Sequence, residues 1–444
     1  MTHRQPQPPQ TSPERVASTW DLSPQYAAAL DRADPLAGYR EQFHVPKACD
    51  VGGDPSDTNH CVYLTGNSLG LQPKSTTAAV LSQLEDWARL GVEGHLRGRD
   101  PWYPCHESLR GPLSRIVGAQ PHEVVAMNTL TVNLHLLMLS FYRPTQMRYK
   151  IIIEGSAFPS DSYAVATQAA YKGFGPDAVV RLLPRDGEDY LRTEDILATI
   201  DRERESLALV MLGGVNYLTG QWFDMNTITA AAHKAGAVCG WDLAHAVGNV
   251  PLSLHDWNAD FAVWCSYKYL NSGPGAVAGA YVHERHCRDV TLPQLAGWWG
   301  NDPSSRFEMK PDFVPVANAD RFAMSNPPIL ALAPVKASLT IFDNAGIQNL
   351  RRKSVALTGY MQFLLEHLAP HVDITTPTEE NARGCQLSLR LPHPGKSTLQ
   401  ALEHEGIVCD FRSPNIIRAA PTPLYNSFTD VHRFVTALGK VTSG

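Results

Sequence analysis

From about residue 120 to residue 285, short apolar runs rich in β-branched residues alternate with longer stretches whose apolar positions recur at helical spacing. The runs are VVAM (124–127), YKIIIE (149–154), AVVRLL (178–183), LALVML (207–212), AVCGW (237–241), DFAVW (260–264) and VAGAYV (277–282). This alternation predicts an α/β fold with a mostly parallel seven-stranded sheet wrapped by helices. Helices are expected over about residues 130–142, 160–171 and 226–235, each after turn or capping chemistry, and over 75–90 ahead of the sheet.

Beyond SNPPI (325–329) the pattern changes. Two long helical stretches, about 331–345 and 348–368, precede the short runs QLSLRL, IVCDFR and IIRAAP, a helix near 397–405 and a closing helix from Asp430. The expected organisation is a large domain over 65–330 and a small α+β domain over 331–444. Residues 17–64 form an N-terminal segment packing with the small domain. Residues 1–16 carry too little apolar surface to fold and are expected to be a disordered tail.

Composition narrows the function classes. The 444 residues are 43% hydrophobic and 18% charged, with a net charge of -6, ordinary for a globular protein. Lys and Arg are scattered, so neither nucleic acid nor a membrane surface is an expected partner. The longest apolar stretch, about 134–142, is half the length of a membrane span, and the polar start lacks an apolar signal core. The eight cysteines form no CxxC pair and no close Cys/His grouping. They read as reduced thiols in a cytoplasmic protein with no metal site.

The strongest chemical signal is Ser266-Tyr267-Lys268-Tyr269-Leu270-Asn271, directly after the buried run DFAVWC. Ligands of open α/β sheets sit beyond the carboxyl ends of the strands, so Lys268 is either a carbonyl-bonding lysine in a cleft or a surface lysine on a turn. The preceding run, AVCGW, ends in Asp242-Leu243-Ala244-His245. Asp242 suits a protonated pyridine nitrogen and also suits a helix cap; His245 suits a site or a satisfied core. Their coincidence with Lys268 favours pyridoxal phosphate, whose protonated ring is an electron sink. Met127 to Asn133 offers a helix start for a phosphate, or a plain N-cap. Ala157-Phe158-Pro159-Ser160-Asp161 offers an aromatic and a carboxylate for the ring, or an ordinary loop entering a helix.

With these residues in place, the chain resembles the kynureninase family, of the longer eukaryotic type, within the fold-type-I pyridoxal-phosphate enzymes. The segments that carry the resemblance are YLTGNSLGLQPK (63–74), NTLTVNLHLLMLSFY (128–142), AFPSDSYA (157–164), WDLAHAVGNVPLSLHDW (241–257), WCSYKYLNSGPG (264–275), GWWG (297–300), SNPPIL (325–330) and IIRAAPTPLYNSF (416–428). Related desulfurases and aminotransferases share the Asp-x-x-His and Lys logic without GNSLGLQP or SNPPIL. The resemblance implies a fold-type-I large domain and hydrolytic cleavage of the β–γ bond of L-kynurenine or 3-hydroxy-L-kynurenine. The products are anthranilate or 3-hydroxyanthranilate, with L-alanine, in tryptophan catabolism and NAD biosynthesis.

It also implies roles. Lys268 bonds the cofactor aldehyde and shuttles a proton, Asp242 pairs with the pyridine nitrogen, and His245 lies near the cofactor. Leu130 and Thr131 contact the phosphate; Phe158, Pro159, Ser160 and Asp161 line the ring; Tyr267 binds phosphate and serves in proton transfer. Trp298 and Asn326 come from the neighbouring subunit of a homodimer. Arg418 grips the substrate carboxylate, and Ser68, His95 and Asn326 line the substrate pocket. One departure stands out: Gly213 occupies a position where the family often has serine, so no side-chain contact is assigned there. The alternatives are a class-V-like aminotransferase, a cysteine desulfurase, or an inactive relative acting as a binding protein.

Overall fold

In the computed structural model, which describes residues 20–443, strand β1 (Val62–Tyr63) lies apart from the main sheet. The next seven strands form that sheet: β2 (Val124–Ala126), β3 (Lys150–Glu154), β4 (Val179–Leu182), β5 (Leu207–Gly213), β6 (Val238–Asp242), β7 (Phe261–Trp264) and β8 (Gly279–Val282). Their order is β2-β8-β7-β6-β5-β3-β4. Only β8 runs antiparallel to its neighbours; the remaining pairings are parallel. The α/β class and the mostly parallel sheet read from the sequence are therefore observed. The expected tail, residues 1–16, lies outside the described residues.

Side chains alternate between the two faces, and both faces are dry. Ile152, Val210, Leu212, Trp241, Ala262 and Trp264 join one apolar cluster, while Ile151, Ile153, Leu209, Met211, Phe261 and Val263 join another. That double burial is why the strands read as unbroken apolar runs rather than as alternating ones. Helices Leu130–Phe141 and Pro159–Tyr171 cover one face, and Thr193–Glu203 and Met225–Lys234 the other.

A second, smaller sheet contains β9 (Asp373–Ile374) and β10 (Leu387–Arg390), while β11 (Ile407–Val408) pairs in parallel with β1. Strands β12 (Asp410–Arg412) and β13 (Ile416–Ala419) complete the small sheet, in the order β12-β13-β10-β9. The run IVCDFR is thus two strands in two sheets, because its first half pairs with the N-terminal segment and its second half with β13. Helix Pro24–Ala33 packs on Phe428–Thr442. Asp31 there accepts the Phe428 and Thr429 N–H groups at 2.6 and 3.1 Å, supplying the negative charge that a helix start favours. Helix Ile329–Ala345 packs on Ser75–Leu90 and Arg110–Val117, with Leu332, Val335, Leu339 and Phe342 in the core of the large sheet.

Candidate active site

The carboxyl ends of β3, β5, β6 and β7 meet at one edge of the sheet, with Gly213 level with Asp242 and Asp242 level with Val263. Asp242 closes β6, and three residues past the end of the strand His245 is buried. Lys268 follows β7 on a turn completed by Asn271, whose φ of +53° lies in the left-handed region that asparagine tolerates. That turn sends the Lys268 Nζ back to within 3.0 Å of His245 Nε2 and 5.8 Å of the Phe158 ring centroid. The GNSLGL segment braces the turn: the Gly70 N–H donates to the Tyr267 carbonyl at 2.9 Å, and a Cβ at Gly70 would stand 2.4 Å from the Lys268 carbonyl oxygen.

One pocket gathers nine of the expected residues: Leu130, Thr131, Phe158, Ser160, Asp161, Asp242, His245, Tyr267 and Lys268. Pro159 stands just behind them as the first residue of its helix, where its missing N–H costs nothing. Helix Leu130–Phe141 opens into the pocket, and its N-cap, Thr129, makes no side-chain cap bond. The first-turn N–H groups are therefore free for an anion. His245 Nδ1 is buried without a partner, and burial followed by the Lys268 charge pushes the imidazole well below its usual range, so it is neutral. An amine, a buried carboxylate, a neutral imidazole and open helix N–H groups together fit a phosphorylated pyridine aldehyde.

The pocket also holds residues that sequence reasoning missed. Glu154 ends β3 and is 2% exposed; it accepts the Gly213 N–H and the Asn216 Nδ2, each at 2.5 Å. Burial pushes its carboxyl up to about 7. Burial likewise raises Asp242, and burial together with the Asp242 charge raises Asp161. Asp161 and Asp242 both feel the Lys268 charge and Glu154 feels that of Asp242, so the pocket floor is an acidic nest in which a nearby positive charge is favourable. Tyr217 is the other omission, its ring edge-on to Phe158 at 5.2 Å. An acid at the carboxyl end of a buried strand is the signal that singled out Asp242, and it applies equally to Glu154.

Other expected residues lie outside this pocket. Arg418 is 1% exposed; it donates through Nη1 to the Tyr217 carbonyl at 2.6 Å and through Nη2 to Asp410, while Nε has no partner. Ser68 lies in a neighbouring open groove with Asp410 and Arg412. His95 is exposed and bonds the Val92 carbonyl at 2.9 Å. Trp298, 40% exposed, donates to the Arg306 carbonyl at 3.3 Å, and Asn326 is exposed. Elsewhere, Glu123, His255 and His283 bring possible ligand atoms within 4.8 Å of one another. They come from distant sequence positions, so no local spacing announces them, and their contacts read as an ordinary polar network. Glu123 accepts the Gln120 and Glu284 N–H groups and His255, and His283 Nδ1 caps a helix through the Arg285 N–H.

A family model described as the kynureninase C-terminal domain matches residues 350–438. The chain is similar to a kynureninase of Myxococcus xanthus, 56% identical over 94% of this chain and 96% of that one. It is also similar to kynureninases of Koribacter versatilis (52%, covering 95% and 98%) and Nematostella vectensis (48%, covering 94% and 93%). The longer chain form is thus shared by bacterial and animal relatives. Among solved structures, cysteine desulfurases of Escherichia coli (TM-score 0.72, 19% identity, covering 92% and 98%) and Thermococcus onnurineus (TM-score 0.70, 20% identity, covering 90% and 99%) share the fold. At half or more identity over nearly full length in the bacterial relatives, the chain belongs to the kynureninase family.

Proposed function

We propose that this chain is a pyridoxal-phosphate enzyme that hydrolyses the β–γ bond of L-kynurenine and 3-hydroxy-L-kynurenine, releasing anthranilate or 3-hydroxyanthranilate and L-alanine. Kynureninase activity follows from the family. The observation that carries the chemistry is the convergence of Lys268, Asp242 and the uncapped helix start on one pocket. Bound there, the cofactor supplies an electron sink for charge developing on the substrate. Lys268 would hold the cofactor aldehyde, and its free amine would be the base that takes the substrate's α-proton. Asp242 keeps the pyridine nitrogen protonated, with Asp161 beside it. The N–H groups of Leu130 and Thr131 and the Tyr267 hydroxyl would hold the phosphate, and Phe158, Pro159 and Ser160 would shape the ring wall near His245.

Arg418 receives the α-carboxylate; its guanidinium is buried, and its Nε has no protein partner. Burial pushes the Tyr267 phenol above its usual range, so it stays protonated at neutral pH and is able to donate a proton at the γ-carbonyl as water adds. A desulfurase would need an exposed, mobile thiol, whereas seven of the eight cysteines are buried and Cys49 is only partly exposed. An inactive relative has no use for Lys268, Asp242 and Arg418 together.

The working unit we infer is a cytoplasmic homodimer with shared sites. Trp298 and Phe307, both exposed, pack edge to face at 5.5 Å, and Asn326 and His95 lie on the surface, as expected of groups that complete a neighbour's pocket. Within each chain, residues 65–330 form the large domain and 331–444 the small one, with helix Ile329–Ala345 seated on the large core; the N-terminal segment reaches both, through Leu36 and Phe43 in the large core and through helix Pro24–Ala33 and β1 against the small domain. All eight cysteines are free, as suits a reducing compartment. No described helix is long and apolar enough to cross a membrane.

The decisive experiment is Lys268→Ala. Purified wild-type protein is expected to absorb visible light and to turn over both kynurenines; the variant is expected to lose the lysine-dependent band and turnover together. An active variant removes the central role of Lys268.

A further inference from the structure

Glu154 has no role in the chemistry above, yet it anchors a loop that reaches from the pocket floor to the small domain. Its two oxygens hold the Gly213 N–H and the Asn216 Nδ2. A Cβ at Gly213 would stand 3.0 Å from Glu154 Oε1, so the glycine is what lets this carboxylate come so close. Asn216 has no freedom to flip. Its Oδ1 accepts the N–H groups of Leu218 and Thr219 at 2.9 and 3.0 Å and the Thr219 hydroxyl at 3.2 Å, which leaves only its amino end for Glu154.

The loop's next carbonyls all face the small domain. The Tyr217 carbonyl accepts Arg418 Nη1 at 2.6 Å and Gln386 Nε2 at 3.1 Å; the Leu218 carbonyl accepts the Ser388 hydroxyl at 2.5 Å; the Thr219 carbonyl accepts the Thr376 hydroxyl at 2.5 Å. Arg418 is therefore held by two partners, Asp410 from its own sheet and Tyr217 from the loop, with Nε left over. A buried guanidinium turns only as far as its partners allow.

We propose that Glu154 is a positioning residue for the substrate-carboxylate arm: through Asn216 it fixes the Tyr217 carbonyl, and through that carbonyl it sets the orientation of the Arg418 guanidinium. The inference rests on the reading of Arg418 as the carboxylate-binding residue.

The test is polarity reversal. Glu154→Gln sets an amino group against the amino group of Asn216, and Asn216→Asp sets two carboxylates together. The double variant E154Q/N216D restores one donor and one acceptor with the bond reversed and the total charge unchanged. Each single variant should raise KM for L-kynurenine and the inhibition constant of L-alanine about tenfold, a factor equivalent to about 1.4 kcal/mol. The kcat should fall less, and the visible cofactor absorption should persist. The double variant should recover both constants, which a brace serving stability alone would not require. Unchanged KM in a single variant that retains its absorption, a loss confined to kcat, or no recovery in the double variant would overturn the proposal. If Glu154→Gln does not fold, Asn216→Asp reads the same pair from the other side. Arg418→Lys, measured in parallel, separates the two readings: unchanged KM there refutes the carboxylate role itself, whereas raised KM with silent Glu154 and Asn216 variants refutes only the positioning.

Discussion

At the scale of single residues, Asp242 illustrates how a site is made from groups that would be unfavourable alone. It is 7% exposed, stands beside Asp161, and receives one backbone N–H, from Ala244 at 2.7 Å. Burial disfavours its charge, and a protonated pyridine is the partner that would restore it. Asp242→Ala is therefore expected to keep the fold, because no strand pairing depends on this side chain, and to lose roughly a hundredfold in kcat/KM, on the order of 3 kcal/mol of transition-state stabilisation. Steady-state assays check the loss and far-ultraviolet circular dichroism checks the fold; near-normal turnover would refute the role. Lys268, Asp242 and His245 were legible because their elements end in chemistry-bearing residues. Tyr217 was not, because an aromatic in a loop carries no such mark.

At the scale of elements, Asp260 at the mouth of β7 joins four pieces of structure. Its oxygens take His233 at 2.8 Å, His286 at 2.7 Å, Arg285 at 2.6 Å and the Cys239 N–H at 2.7 Å. Burial alone would raise its pKa, but these bonds outweigh burial and hold it well below the usual carboxylate range. A depressed folded-state value means that its contribution to stability is complete above the unfolded value, about 4, and is lost as pH falls toward the folded one. Asp260→Asn should cost about 3 kcal/mol at pH 7, the scale for breaking a buried pair, with a gap that narrows below about pH 4. Thermal unfolding of both proteins from pH 3 to 7 checks the sign; a gap that widens in acid would contradict it. The seven strands of the large sheet could be read from their apolar runs because both faces are buried. The split of IVCDFR between two sheets could not, since its pairing partners, β1 and β13, are set by the tertiary fold.

At the scale of the whole molecule, the question is how many chains build one site. Trp298 and Asn326 are exposed and outside the pocket that holds Lys268. If a second copy supplies them, mixing inactive Lys268→Ala chains with inactive Asn326→Ala chains should restore part of the activity, because a hybrid dimer contains one site free of both defects. Absence of recovery after subunit exchange, verified by mass, would place each site within a single chain.

What the sequence by itself determined was the order and kind of elements and the residues that close the central strands. Burial on both faces leaves a mark in composition, and the carboxyl edge of a parallel sheet follows from topology rules alone. The tertiary structure alone decided which distant groups meet: Glu154 with Asn216, the Tyr217 carbonyl with Arg418, and Glu123 with His255 and His283. Such meetings depend on angles and side-chain directions accumulated over many residues, and no local spacing encodes them.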